Sequence, residues 1–180
     1  MLLDRWRARR ANRLVIEQIH GEIVAAARSP GLYRHVGVAD TLEGRFEMVV
    51  LAAALVVRRL MALGPAGADL AQELVDRVFR GFEDALREMA IGDVGLARRL
   101  KTMAGDFAGR SRVYGAALDA GDPAALAAAL GRNVFGATAP PPAAAELARR
   151  VAAAAAALES LGHEDFAGGR FRFPALEGDV

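Results

Sequence analysis

Apolar positions recur at helical spacing along most of the chain, separated by glycine, proline and aspartate. Ile16, Ile19, Ile23 and Ala26 form one stripe of a helix over about residues 12–28, which Ser29-Pro30-Gly31 stops. Residues 32–39 read as a loop. Asp40-Thr41-Leu42-Glu43 has the order of a capping box, with Asp40 as the cap. The second helix then runs to about Leu63. It is apolar almost all round from Met48 to Val57, which puts it at the centre of a bundle.

Residues 64–67 read as a short connection, and Asp69-Leu70-Ala71-Gln72 repeats the capping logic for a third helix to about Ala90. Its expected buried stripe is Leu70, Leu74, Val78, Phe82, Ala85, Leu86 and Met89. Gly92 suits a left-handed residue just past that helix, and Asp93 suits the next cap. A fourth helix to about Leu118 carries Leu96, Leu100, Met103, Phe107, Tyr114 and Leu118 on one side. Asp122-Pro123 opens a short fifth. Residues 137–142, with three consecutive prolines, read as a linker. Residues 143–161 form an alanine-rich helix, expected either to dock weakly or to pack closely. The alternation Arg170-Phe171-Arg172-Phe173 suits a short extended stretch laid on the bundle. No internal repeat is visible.

The expectation is an all-α fold: one bundle of about five to six helices with short loops and an irregular tail. Residues 1–13 form a basic lead-in, 14–136 a helical body, 137–142 the linker, and 143–180 a helix and tail packed on the body.

A chain of 180 residues, 53% hydrophobic, can build a single core. It has no cysteine, so disulfides, thiolate metal ligands and a cysteine nucleophile are excluded. The longest uncharged apolar run has ten residues, against roughly 20 for a membrane-spanning helix. No secretory signal or membrane anchor is visible, and the expected location is cytoplasmic. The net charge of +1 argues against DNA as a partner. Charge is nevertheless uneven: residues 1–13 hold five arginines against one aspartate, and residues 159–180 hold five acids against two arginines.

Candidate chemistry is sparse. No phosphate loop, nucleophile elbow or zinc-binding helix motif occurs, and His20, His35 and His163 have no spaced partners. The reading is therefore non-enzymatic, with no cofactor, metal or small-molecule substrate. Gly95, Gly105, Gly109 and Gly115 interrupt the fourth helix, at roughly 1 kcal/mol each relative to alanine. Thr102, Gly105, Ala108 and Gly109 share one side. The simpler expectation is close approach of a neighbouring helix of the same chain; the alternative is an external partner. Arg98, Lys101 and Arg112 border that face, as a solvated rim or as a ledge for RNA phosphates, lipid headgroups or an acidic protein. Leu2, Leu3 and Trp6 interleave with Arg5, Arg7, Arg9 and Arg10. That mixture suits an interfacial membrane anchor, a ribosome-docking segment or an ordinary lead-in. Leu3, Trp6, Arg7, Arg9 and Arg10 are the docking candidates.

The order of several segments resembles the ubiquinol–cytochrome c chaperone family. These are residues 22–33, ending Arg28-Ser29-Pro30-Gly31-Leu32-Tyr33, then Gly44-Arg45-Phe46-Glu47 and Val57-Arg58-Arg59-Leu60. Leu86-Arg87-Glu88-Met89-Ala90-Ile91-Gly92-Asp93 leads into Arg98-Arg99-Leu100-Lys101 and Phe107-Ala108-Gly109-Arg110. Asn133-Val134-Phe135 and Gly169-Arg170-Phe171-Arg172-Phe173-Pro174 close the series. The resemblance spans about residues 15–136 plus the tail; Ala90 and Ala108 depart from it, replacing an expected glycine and aromatic. It implies a helical assembly factor that binds newly made cytochrome b before it enters the bc1 complex. Mitochondrial members do so with a partner protein near the ribosome exit. A bacterial member would work at the inner face of the cytoplasmic membrane, peripherally, with ribosome and membrane surface as further contacts. Tyr33, Arg45, Glu88, Asp93, Arg98 and Lys101 are the partner-binding candidates that the resemblance implies.

Overall fold

The apolar run at residues 48–57 forms the middle of a central helix, and the other helices cover it. The computed structural model describes the backbone of residues 2–89 and 92–176, and side chains for 12–89 and 92–176. Among the described residues there are eight helices and no strand. They are α1 (Leu2–Ala27), α2 (Pro30–Arg34), α3 (Leu42–Ala62), α4 (Pro65–Glu88), α5 (Asp93–Asp119), α6 (Pro123–Asn133), α7 (Pro142–Glu159) and α8 (His163–Ala167). The all-α bundle with short loops is therefore as the hydrophobic pattern indicates. Its count exceeds the expected five to six because α2 and α8 are five-residue turns too short to show a period.

Helix α3 packs against α1, α4, α5 and α7. Met48, Val50 to Val56 and Leu60 on it are buried, together with Glu47. Each large aliphatic side chain removed from water there contributes roughly 1.5–3 kcal/mol before entropy is counted. From α1, Ile16, Ile19 and Ile23 enter the same core, and from α4, Leu70, Leu74 and Val78.

Helix ends differ from the sequence expectation at five places, each for a local reason. Thr41 caps α3, its hydroxyl accepting from Gly44 N–H at 3.1 Å, because Asp40 is drawn to Arg45 instead. Helix α4 begins at Pro65, four residues before the expected Asp69 cap: Gly64, at φ +82°, turns the chain and proline supplies the first helical φ. Gly92 is extended, at φ −64°, and is itself the cap of α5, so Asp93 is the first helical residue. Residues 30–34 are helical, started by Pro30, where a loop was expected. Asp122 caps α6 as anticipated, accepting from Ala125 N–H at 2.9 Å. The backbone of α1 also extends to Leu2, through a stretch of arginine and alanine that favours helix.

The alanine-rich helix α7 packs closely. Leu147, Val151 and Leu158 enter the core with Ala144, Ala148, Ala154 and Ala155 against α6 and α3. At the α6 end Gly131 leaves room for the chain to return: a Cβ there would stand 2.9 Å from Pro140 Cα. Arg58 joins three helices, reaching Asp119 at 2.7 Å and Glu159 at 3.2 Å, while Arg59 donates twice to the Leu161 carbonyl at 2.8 and 2.6 Å. The tail runs extended across α1. Phe171 is buried and stacks on Phe166 with ring centroids 5.0 Å apart; its carbonyl accepts from Gln18, and Phe173 N–H donates to Glu22 at 3.1 Å.

Candidate functional site

Helix α5 is anchored at only part of its surface. Leu96, Phe107, Tyr114 and Ala117 are buried. Phe107 meets Phe79 edge-on at 5.9 Å, and Arg110 holds Glu47 of α3. The opposite face carries Lys101, Thr102, Ala104, Gly105, Ala108 and Arg112, all exposed.

The glycines on this helix correct the expectation of a close internal neighbour. A Cβ at Gly105, Gly109 or Gly115 would meet nothing within 4 Å. Among the described residues no other helix fills that side, so Gly105, Gly109 and Gly115 are not explained by internal packing. Two glycines four apart, Gly105 and Gly109, thus leave a shallow strip open to solvent. Arg98, Arg99, Lys101 and Arg112 on the same helix have no ion-pair partner among the described residues.

Toward its C-terminus the strip runs into a groove of about 400 Å³ between α3 and α5. Ala54, Val57, Met61, Gly115 and Ala116 supply its apolar wall. Met61 is 56% exposed, although the sequence placed it on a central helix. Ser111 lines the groove too, and its hydroxyl is buried without a hydrogen-bond partner.

A second concavity, about 270 Å³, lies where α1, α2 and the start of α3 meet. Arg28, Pro30, Tyr33, Arg34, Asp40 and Arg45 line it. The Tyr33 hydroxyl donates to the Ala27 carbonyl at 2.5 Å, which turns the ring in. Burial raises its pKa, with Arg45 and Arg28 acting against that rise. Arg45 Nε donates to Asp40 at 2.7 Å and keeps the Asp40 carboxyl below its ordinary range.

Of the partner-binding candidates, then, Tyr33 and Arg45 come together in this concavity, whereas Glu88, Asp93, Arg98 and Lys101 lie elsewhere. Glu88 ends α4 and is exposed; Asp93, 92% exposed, begins α5 and pairs with Arg87 at 3.4 Å. Beside them Met89 and Val94 are 50% and 89% exposed, so Met89 leaves the buried stripe assigned to it, whereas Leu86 in the last turn of α4 stays buried. Ala85, also expected in that stripe, is exposed. The docking candidates Leu3, Trp6, Arg7, Arg9 and Arg10 lie outside the residues whose side chains are described. Sequence reasoning missed Arg28, Arg34 and Asp40, which converge only because the short α2 folds the chain back; their spacing carries no periodic signal.

Titratable groups do not converge into catalytic machinery at these places. His20 is half-buried under Gly81 and its pKa is lowered, chiefly by burial and next by Arg77. His35 is exposed, and His163 starts α8. No group of three or more His, Asp or Glu among the described residues is placed to hold a metal ion.

Comparison with known proteins adds two findings. The family model described as ubiquinol-cytochrome C chaperone matches residues 34–173. The crystal structure of the Cbp3 homolog from Brucella abortus is similar at 38% sequence identity, with a TM-score of 0.86, covering 98% of this chain and 98% of that one. No curated protein matches the chain.

Proposed function

Because the chain belongs to the ubiquinol–cytochrome c chaperone family, we propose that it is a non-enzymatic chaperone that binds newly made cytochrome b for assembly of the bc1 complex. The likeness to the Brucella Cbp3 homolog through 98% of both chains carries this reading, since it covers the whole bundle and not one motif. The residues 14–136 are the client-holding body in this proposal, and the helix and tail over 143–176 pack on it from one side.

The open strip of α5 supports the reading physically. Small residues let another helix approach to backbone distance, and an apolar groove continues the strip. Unpaired cations along α5 add an electrostatic attraction that acts before contact. Such a surface holds a polypeptide without chemical change. No helix among the described residues is long and apolar enough to cross a membrane. In this proposal the chain works in the cytoplasm and reaches the inner face of the membrane through its client.

A clean deletion strain tests the role: assembled bc1 complex should be lost, and tagged chain should co-purify with cytochrome b from native membranes. Undiminished bc1 complex in the deletion strain would overturn the reading. Gly105→Leu, placed in open space, should leave the fold intact and weaken cytochrome b capture.

A further inference from the structure

We propose that the concavity formed by α1, α2 and the start of α3 is a binding site for a phosphate group, with Arg28 and Arg34 as its principal ligands. This site is separate from the open face of α5 and does not depend on which client that face holds.

Charge within the concavity is unbalanced. Three arginines line it, Arg28, Arg34 and Arg45, against one acidic residue, Asp40. That carboxylate is occupied by Arg45 at 2.7 Å, while Arg28 and Arg34 have no ion-pair partner among the described residues. The lining therefore carries two positive charges in excess. A phosphate monoester near neutral pH carries about −1.5 to −2, which matches that excess.

Charge favours phosphate over a carboxylate. Guanidinium groups present planar forks of donors, and a phosphate monoester meets the two unpaired arginines with three terminal oxygens and close to two negative charges, where a carboxylate brings one charge. A volume of about 270 Å³ exceeds a bare phosphate ion and leaves room for the group that carries it. The Tyr33 ring, held by its bond to the Ala27 carbonyl, forms one wall for that group.

Backbone hydrogen bonds fix the chain positions from which two of the arginines project. Arg28 N–H donates to the Val24 carbonyl at 3.0 Å at the end of α1, and His35 N–H donates to Gly31 at 2.9 Å, closing α2 around Arg34. Gly44 lets the start of α3 approach: a Cβ there would stand 2.0 Å from the Ala39 carbonyl oxygen. The site is built by chain path, not by flexible side chains alone.

The test is calorimetric titration of the full chain at low ionic strength with inorganic phosphate and with glycerol 3-phosphate. Saturable binding is expected, at least tenfold weaker in Arg28→Gln/Arg34→Gln and unchanged in Arg80→Gln, which removes one exposed arginine of α4. Asp40→Asn should tighten binding by severalfold, because it removes the one repelling carboxylate; this variant guards against a folding defect in the double variant. Sedimentation with phosphatidic-acid vesicles, lost in the double variant, would identify the source as a lipid headgroup. Phosphate binding without vesicle binding would identify a soluble phosphate compound. Absence of saturable phosphate binding, or equal loss in Arg80→Gln, would overturn the proposal.

Discussion

Arg110 of α5 grips Glu47 of α3 at two points, Nε to Oε2 at 2.7 Å and a terminal nitrogen to Oε1 at 2.6 Å. Glu47 is the one buried charged residue among the described residues, and Arg110 also reaches Asp106 at 3.1 Å on its own helix. The pair fastens α5 to the central helix on the side opposite its open strip. Replacing Arg110 by leucine leaves the Glu47 charge without its partner, at a cost of roughly 3–5 kcal/mol. Replacing both by apolar residues of similar volume should recover most of it. Urea denaturation of the two single variants and the double variant measures the coupling.

The same carboxylate makes a pH prediction. Burial raises the Glu47 pKa against the opposing pull of Arg110. The folded state thus holds a proton on Glu47 more tightly than the unfolded chain does. Its contribution favours folding below the unfolded carboxylate pKa and is lost as pH rises through the raised folded value. The stability of the natural protein relative to Glu47→Gln should improve as pH falls from 7 to about 4.5. Paired denaturation curves at the two pH values check the sign, and other carboxylates cancel in the difference.

Tyr114 is buried, and burial pushes its pKa up to about 12, while Asn133 donates to its oxygen at 3.1 Å. Stability from this residue is present below the unfolded value near 10 and declines as pH rises toward 12. An alkaline titration followed by phenolate absorbance should show Tyr114 ionising late or with unfolding. Tyr114→Phe should remove that step.

Two glycine substitutions should act in opposite directions. Gly44→Ala forces a Cβ against the Ala39 carbonyl oxygen and should cost at least about 1–3 kcal/mol. Gly105→Ala, in open space within a helix, should stabilise by about 0.5–1 kcal/mol. Thermal melts of the two variants distinguish them. A Gly105→Ala variant that lost stability would show that α5 has a neighbour on that side.

The tail should behave as part of the core. Phe171→Ala removes a fully buried ring stacked on Phe166 and should cost roughly 3–5 kcal/mol. Proteolysis should then cut the chain after α8 more readily than in the natural protein.

Much of this was legible along the chain. Ile16, Ile19 and Ile23, or Leu70, Leu74 and Val78, announce their helices by spacing, because one buried stripe must repeat every turn. The centrality of α3 follows from an apolar run with no polar side to show to water. Asp122-Pro123 marked a helix start correctly because a cap needs only its own three neighbours.

The sequence by itself therefore determined the helical class, the central helix and the family, since periodicity and ordered motifs are properties of neighbours in the chain. Tertiary structure decided the rest. Whether Gly105 and Gly109 face a helix or solvent depends on what packs beside them, and Asp40 leaves its capping role only because Arg45 is within reach. Arg28, Arg34 and Arg45 become one charged concavity when α2 turns the chain back. Proximity between residues distant along the chain is created by folding, and no local pattern encodes it.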